Sequence, residues 1–346
     1  MTVMSHMDRR KKLLLNGVIG AIVLLAIGIG AVAWLRIDPS GLHGSGLSDT
    51  FDYNLEQYQK IDPALVRYAQ KTQVPVGLRA ARAVAVGPQD RIFVAGDKTI
   101  RVFDRDGKPL EPIALDQEPY CLATGNAGRI YVGMRDHVEV FGGDGKRQAA
   151  WPRPGKRTVL TSIAAADEDV FVADAGALVV WHYDPSGKLL GQIGKRDPSR
   201  GIPGFIVPSP YFDVAIAPDG LLRVANPGAH QIEAFTFDGH LELSWGKRGM
   251  GIETFCGCCN PSNIAILADG RVVTAEKGIP RVKVYRESGE FECVVVGPET
   301  LAPNRTATVE TRDELRLHPV DLAVDSRLRI LVLDPTAGLI RIFEHK

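Results

Sequence analysis

From Arg82 onward the chain is written six times over. A chain that repeats one supersecondary unit can bury each copy only against its neighbours. Every unit holds an apolar run, a turn, a second run, another turn, and a third run that ends in an aromatic residue. The first runs are Val84 to Val86, Leu122 to Thr124, Ile163 to Ala165, Val214 to Ile216, Ile264 to Leu267 and Leu322 to Val324. The second begin at Arg91 (RIFVAGD), Arg129 (RIYVGMRD), Asp169 (DVFVADAG), Leu221 (LLRVANPG), Arg271 (RVVTAEKG) and Arg329 (RILVLDPT). The third begin at Ile100, Val138, Val179, Ile232, Val282 and Ile340, and most run into Asp-Gly or Ser-Gly.

Alternating apolar residues bounded by Asp-Gly or Ser-Gly are half-buried strands joined by hairpins. Three such strands, with a fourth after the glycine, make a four-stranded blade. Six blades closing radially make an all-β, six-bladed β-propeller over residues 74–346. The sixth unit stops at Lys346, three residues after Phe343, and so lacks its outer strand. Residues Val74 to Leu78 are expected to supply it and close the ring, which removes two exposed sheet edges.

With Gly194 and the Trp245-Gly246 pair, these runs resemble the NHL-repeat family of propellers, over roughly residues 74–346. The resemblance implies the fold. It leaves function open, because NHL propellers include binding scaffolds, lyases and partners for protein or RNA. Some six-bladed relatives are peptide-amidating lyases, and this chain carries no set of metal-binding histidines that would transfer that activity.

Ahead of the repeats, Leu13 to Leu35 is an uncharged run of 23 residues. As a helix it would span about 34 Å, enough for a hydrocarbon core of roughly 30 Å. Arg9, Arg10, Lys11 and Lys12 precede it, so the expected topology is a cytoplasmic tail (1–12), a single-pass signal anchor (13–35) and a propeller on the outer, periplasmic side. Two other readings stay open. Ala31-Val32-Ala33 has the form of a signal-peptide cleavage site, and Arg9-Arg10 raises twin-arginine export. Residues 36–73 read as a linker rich in glycine and serine, followed by a short helix in which Asp62 caps Pro63 and Ala64, Leu65, Tyr68 and Ala69 form an apolar stripe.

The charges balance, with 41 basic and 41 acidic residues, which excludes nucleic-acid binding by the surface as a whole. Exported topology points the same way and leaves protein partners in the cell envelope as the expected ligands. The chain has no H-E-x-x-H, no G-x-S-x-G elbow, no phosphate-binding P-loop and no haem C-x-x-C-H. Asp104 and Gly142 begin turn motifs rather than calcium loops. Lys146, Arg147, Arg153, Lys156 and Arg157 surround Trp151 as a basic patch.

The strongest chemical signal is FCGCCNP, which places three of the five cysteines at 256, 258 and 259. Units four and five align at an offset of 50, with Gly201 on Gly251, Phe205 on Phe255 and Asp213 on Asn263. Unit four builds the equivalent loop as Ile206-Val207-Pro208-Ser209, without a thiol. Cysteines are therefore not a requirement of the backbone.

The loop precedes the inner strand of blade five, close to one mouth of the central channel. The first positions of the inner strands are Ala83, Cys121, Ser162, Asp213, Asn263 and Asp321, a mostly polar ring, and His318 stands where blade five has Asn260. Three chemistries fit the loop. Cys256, Cys258 and Cys259, with Cys121 or His318, are a ligand set for an iron–sulfur cluster, copper or zinc, with a role in electron transfer. Cys256 and Cys259 are a C-x-x-C exchange pair. A structural disulfide is the third. Asp213 and Asp321 read either as an acid–base pair in a channel enzyme or as caps of the inner strands. Cys293, in the outer strand of blade five, reads as core.

Overall fold

The structure is a computed structural model, and it describes residues 17–28, 56–303 and 319–346. Residues 17–28, inside the expected anchor, are helical. Among the described residues no helix is long and apolar enough to cross a membrane, and the rest of the 13–35 segment lies outside them.

Leu55–Lys346 forms a separate compact unit of six four-stranded antiparallel sheets. Their inner strands are Ala81–Val86, Cys121–Thr124, Leu160–Ala165, Val214–Ile216, Asn263–Ile266 and Asp321–Val324, within a few residues of the apolar runs in the sequence. In blades one to five the four strands of each sheet are consecutive in the chain, as hairpin connections demand.

The sixth sheet is the exception. Its outer strand is Tyr68–Pro75, which pairs antiparallel with the last strand, Leu339–His345, in a register that sets Tyr68 opposite His345 and Val74 opposite Ile340. The predicted closure is present, but the strand begins six residues before Val74. The predicted helix shrinks accordingly. Asp62 does cap a helical turn, its carboxylate accepting the Ala64 N–H at 2.9 Å, yet that turn covers only Pro63–Leu65. Arg67 then donates its N–H to the Val294 carbonyl of blade five, and the chain is committed to sheet.

The core follows the alternation. Residues such as Val94, Val132, Val172, Val224, Val273 and Val332 on the second strands are fully buried between neighbouring sheets. In blades one to five the hairpin before the outer strand turns through a left-handed glycine. Gly187 and Gly289, at φ +91° and +89°, lie flat against the indoles of Trp151 and Trp245 of the preceding blades. Trp151 is thus buried between the rings of Tyr131 and Tyr183 rather than displayed in a basic patch, and two of the charges near it are paired, Arg147 with Glu139 at 2.8 Å and Arg153 with Asp136 at 3.4 Å. The turn aspartates do turn work, as when Asp104 accepts the N–H groups of Asp106 and Lys108.

Candidate functional site: the channel mouth and the cysteine loop

The six inner strands line a central cavity of about 270 Å³. At the end where those strands begin, it opens beside a second cavity of about 370 Å³, within the range of small-ligand sites. Asp213 and Asn263 line both, while Cys121 and Asp321 line the central one.

Four of the six first positions of the inner strands, Ser162, Asp213, Asn263 and Asp321, are inter-blade latches. Asp213 of blade four accepts the N–H of its own neighbour Val214 at 2.9 Å through Oδ1 and that of Ile264 in blade five at 2.6 Å through Oδ2. Asn263 of blade five donates to Asp321 of blade six at 2.7 Å, and Asp321 accepts the Val84 N–H of blade one at 2.7 Å. Ser162 of blade three accepts the Val214 N–H at 3.3 Å. These strands have no sheet neighbour on the channel side, so a side chain from the adjoining blade satisfies donors that would otherwise lack a partner.

Burial raises the Asp213 carboxyl to about 7, with the nearby Asp321 adding to the rise, and burial raises Asp321 to about 6. Such values would suit an acid–base pair. The geometry works against that use, because both oxygens of each carboxylate are already engaged by donors of the inner strands. Cys121 lies buried on the same channel wall, its thiol held far above the usual range by burial and by the two aspartates.

The mouth cavity is cationic and aromatic. Arg82 and Arg135 line it with Tyr120 and Tyr211, and neither arginine has an ion pair among the described residues. The Arg82 guanidinium lies over the Tyr120 ring at 4.8 Å, and its buried Nε has no hydrogen-bond acceptor.

The cysteine loop sits behind Tyr211. Its resemblance to the thiol-free loop of blade four extends to hydrogen bonding: the Ile206 N–H donates to Asn226 at 2.9 Å, and the Cys256 N–H donates to Glu276, 50 positions after Asn226, at 3.0 Å. The supporting charge differs. Asn226 bonds Glu233 at 2.8 Å, whereas Glu276 meets Arg281 at 2.6 Å and Lys283 at 3.2 Å. All three members of the blade-five network are buried. Burial lowers Lys283 to about 8 against the pull of Glu276, and its ammonium also donates to the carbonyls of Ile252 and Thr254 at 3.0 and 2.8 Å.

Within the loop the sulfurs separate into two environments. Cys256 is buried beside this network, its thiol raised first by burial and then by Glu276, and Asn260 Nδ2 lies 3.8 Å from its Sγ. Cys258 and Cys259 approach each other instead, Sγ to Sγ 3.1 Å, with Cys258 exposed and Cys259 buried. The Cys256–Cys259 pair predicted from C-x-x-C spacing is thus replaced by an adjacent pair. All five cysteines are free thiols in this structure.

Among the described residues the members of the predicted ligand set lie apart. Cys121 belongs to the channel, Cys256 to the buried network, and His318 lies outside the described residues. Among the described residues no three His, Cys, Asp or Glu side chains gather as a metal site. Two sulfurs in contact are a dithiol rather than a closed four-ligand centre. Sequence reasoning did not single out Lys277, Ser209 or Tyr211. The offset of 50 carried the signal for one of them, since Ser209 is the twin of Cys259, and it accepts from Lys277 Nζ at 3.0 Å.

Neither a family model nor a curated protein matches the chain. Solved structures do. A streptogramin B lyase aligns at a TM-score of 0.56 with 11% identity over 82% of this chain and 100% of its own. Virginiamycin B lyase from Staphylococcus aureus aligns at 0.53 with 12% identity, over 81% of this chain and 100% of that one. A catalytically inactive variant of the Staphylococcus aureus enzyme with quinupristin aligns at 0.52 with 13% identity, over 77% and 80%. At these identities the likeness establishes the shared fold, and this chain is a six-bladed β-propeller similar to those lyases in architecture.

Proposed function

We propose that this propeller is a binding module held at the outer face of a membrane by residues 13–35, and that its channel mouth takes up an acidic segment of a partner protein in the cell envelope. The observation that carries the reading is Arg82, whose buried Nε lacks an acceptor at the wall of a cavity of about 370 Å³. A buried guanidinium donor left unpaired costs free energy, and a carboxylate seated in the mouth would remove that cost. Arg135 adds a second unpaired cation, and the rings of Tyr120 and Tyr211 supply contact area of low conformational entropy. The carboxylates of the inner strands are occupied in joining blades, which favours a scaffold over a channel enzyme. Membrane placement rests on the 23-residue uncharged run and the four cationic residues before it.

The test is binding of synthetic acidic peptides to the purified chain, followed by fluorescence anisotropy. Arg82→Gln and Arg135→Gln should each weaken binding roughly tenfold, the worth of one charge-assisted hydrogen bond. Affinity that is unchanged in both variants, or a chain that binds neutral and acidic peptides alike, would refute the reading.

A further inference from the structure

We propose that Cys258 and Cys259 are a dithiol–disulfide couple that oxidises the dithiol of a partner, with Cys258 as the sulfur attacked and Cys259 as the leaving group. The proposal does not depend on what the mouth binds, and it fails or stands separately.

Three features of the loop converge on it. The two sulfurs already lie 3.1 Å apart on neighbouring residues. Their exposure is unequal: Cys258 faces solvent, where an incoming thiolate has access, and Cys259 is 2% exposed. The buried sulfur is also the one that Ser209 and Lys277 influence, both drawing its thiol toward the thiolate. Lys277 is held for that task. Its Nζ donates to Ser209 Oγ at 3.0 Å and lies 4.5 Å from the centre of the Tyr211 ring, while its backbone N–H and C=O are clamped by the Asn260 side chain, each at 2.9 Å. Asn260 Nδ2 also donates to the Cys256 carbonyl at 2.7 Å, and His230 Nε2 meets the Gly257 carbonyl at 2.9 Å, so the loop and its cation are one rigid piece.

Charge at the two sulfurs follows this arrangement. Burial pushes the Cys259 thiol up, but the Ser209 hydroxyl, the contact with Cys258 and the charge of Lys277 outweigh it and hold Cys259 below the usual thiol value. Cys258 is raised, chiefly by its bond to Cys259. In exchange, a thiol of low pKa leaves fastest. The order therefore suits the oxidised pair, which the two free thiols become by exchange with the disulfide of a second partner, that disulfide leaving as a dithiol with the two electrons and two protons. A thiolate of the substrate dithiol attacks Cys258 Sγ, a Cys258–substrate disulfide forms, the Cys258–Cys259 bond breaks, and Cys259 departs as a thiolate beside Lys277. The second substrate thiol then attacks its own sulfur in the mixed disulfide, closes the substrate disulfide and expels Cys258, which takes up a proton. Two electrons pass from the substrate to the pair, and of the two substrate protons one ends on Cys258 and one in solvent.

The experiment uses the full chain, oxidised with diamide and then reduced by dithiothreitol, with mass spectrometry to locate the linked cysteines. The expected product of oxidation has lost two hydrogens, is linked between Cys258 and Cys259, and leaves Cys256 alkylatable after unfolding. Lys277→Met should slow reduction roughly tenfold while Lys277→Arg keeps most of the rate and Cys256→Ser leaves it unchanged, because only the first removes the charge that stabilises the leaving thiolate. The ultraviolet thiolate signal of the reduced chain should titrate below the ordinary thiol range and move up in Lys277→Met. Linkage through Cys256, a chain that takes up no oxidising equivalents, or equal reduction rates in Lys277→Met and the native chain would each overturn the proposal.

Discussion

At single residues, the polar groups near the axis are more informative about stability than about catalysis. Asp213 uses two oxygens for two backbone donors, so Asp213→Asn must turn an NH₂ toward an N–H or rotate away and leave a donor unpaired. That change should cost about 1–3 kcal/mol, read from urea unfolding. It should also alter the pH profile. With a folded value near 7 against an ordinary 3.8, Asp213 binds a proton in the native state that the unfolded chain has already lost. Stability from this group therefore falls as pH rises from about 4 to about 7, Asp321 acts alike up to about 6, and Asp213→Asn should flatten the fall. Glu276 presents the opposite case of a charge that must remain. Its carboxylate meets Arg281 Nε and Lys283 in a site closed to solvent, and the Arg281 Nη2 there has no acceptor. Glu276→Gln leaves two buried cations opposing each other and should destabilise by roughly 3–5 kcal/mol. Faster alkylation of Cys256, whose N–H that carboxylate holds, would mark the loop as the part that loosens.

At the scale of elements, the turn glycines separate two physical requirements that look alike in sequence. Gly220 and Gly289 both end Asp-Gly or Ser-Gly turns with φ near +80° to +89°, yet a Cβ at Gly220 would meet nothing within 4 Å, while one at Gly289 would lie 2.5 Å from the Trp245 ring. Gly220→Ala should cost only the left-handed backbone, about 1 kcal/mol, whereas Gly289→Ala adds an overpacked ring and should cost about 3 kcal/mol, both by thermal or urea unfolding. The six inner strands were legible because alternation and hairpin turns are local signals. The 62–69 segment was misread because its capping signal is real but one turn long, and the Val66–Val294 bridge and the pairing of Tyr68 with His345 outweigh local helix preference. The cysteine loop was found by comparing two units, since backbone twins advertise what one of them does not need. Which sulfurs meet was not legible. That choice is made by Asn260 gripping Cys256 and Lys277 together, and by Lys277 reaching across to Ser209 in the loop of the blade before, contacts between residues 17 and 68 positions apart.

For the whole molecule, closure is the decisive element. Five sheets are completed by consecutive hairpins, and the sixth is completed by Tyr68–Pro75 from the opposite end of the repeats. Without that strand, Leu339–His345 becomes an edge, with Ile340, Ile342 and Phe343, all now buried, beside it. An edge of this kind invites pairing with another copy. Closure also reaches the axis, because the latch from Asp321 to Val84 joins blade six to blade one and depends on the ring being shut. A chain beginning at Ile61 keeps the capped turn and the closing strand, and should unfold cooperatively as a monomer. A chain beginning at Val76 differs only by fifteen residues, yet it should elute as oligomers or aggregate and unfold at markedly lower urea, as size-exclusion chromatography and urea titration would show. If the shorter chain were instead monomeric and equally stable, the sixth blade would be held by its three remaining strands and the latch alone, and the first strand would be an accessory to the ring rather than its clasp.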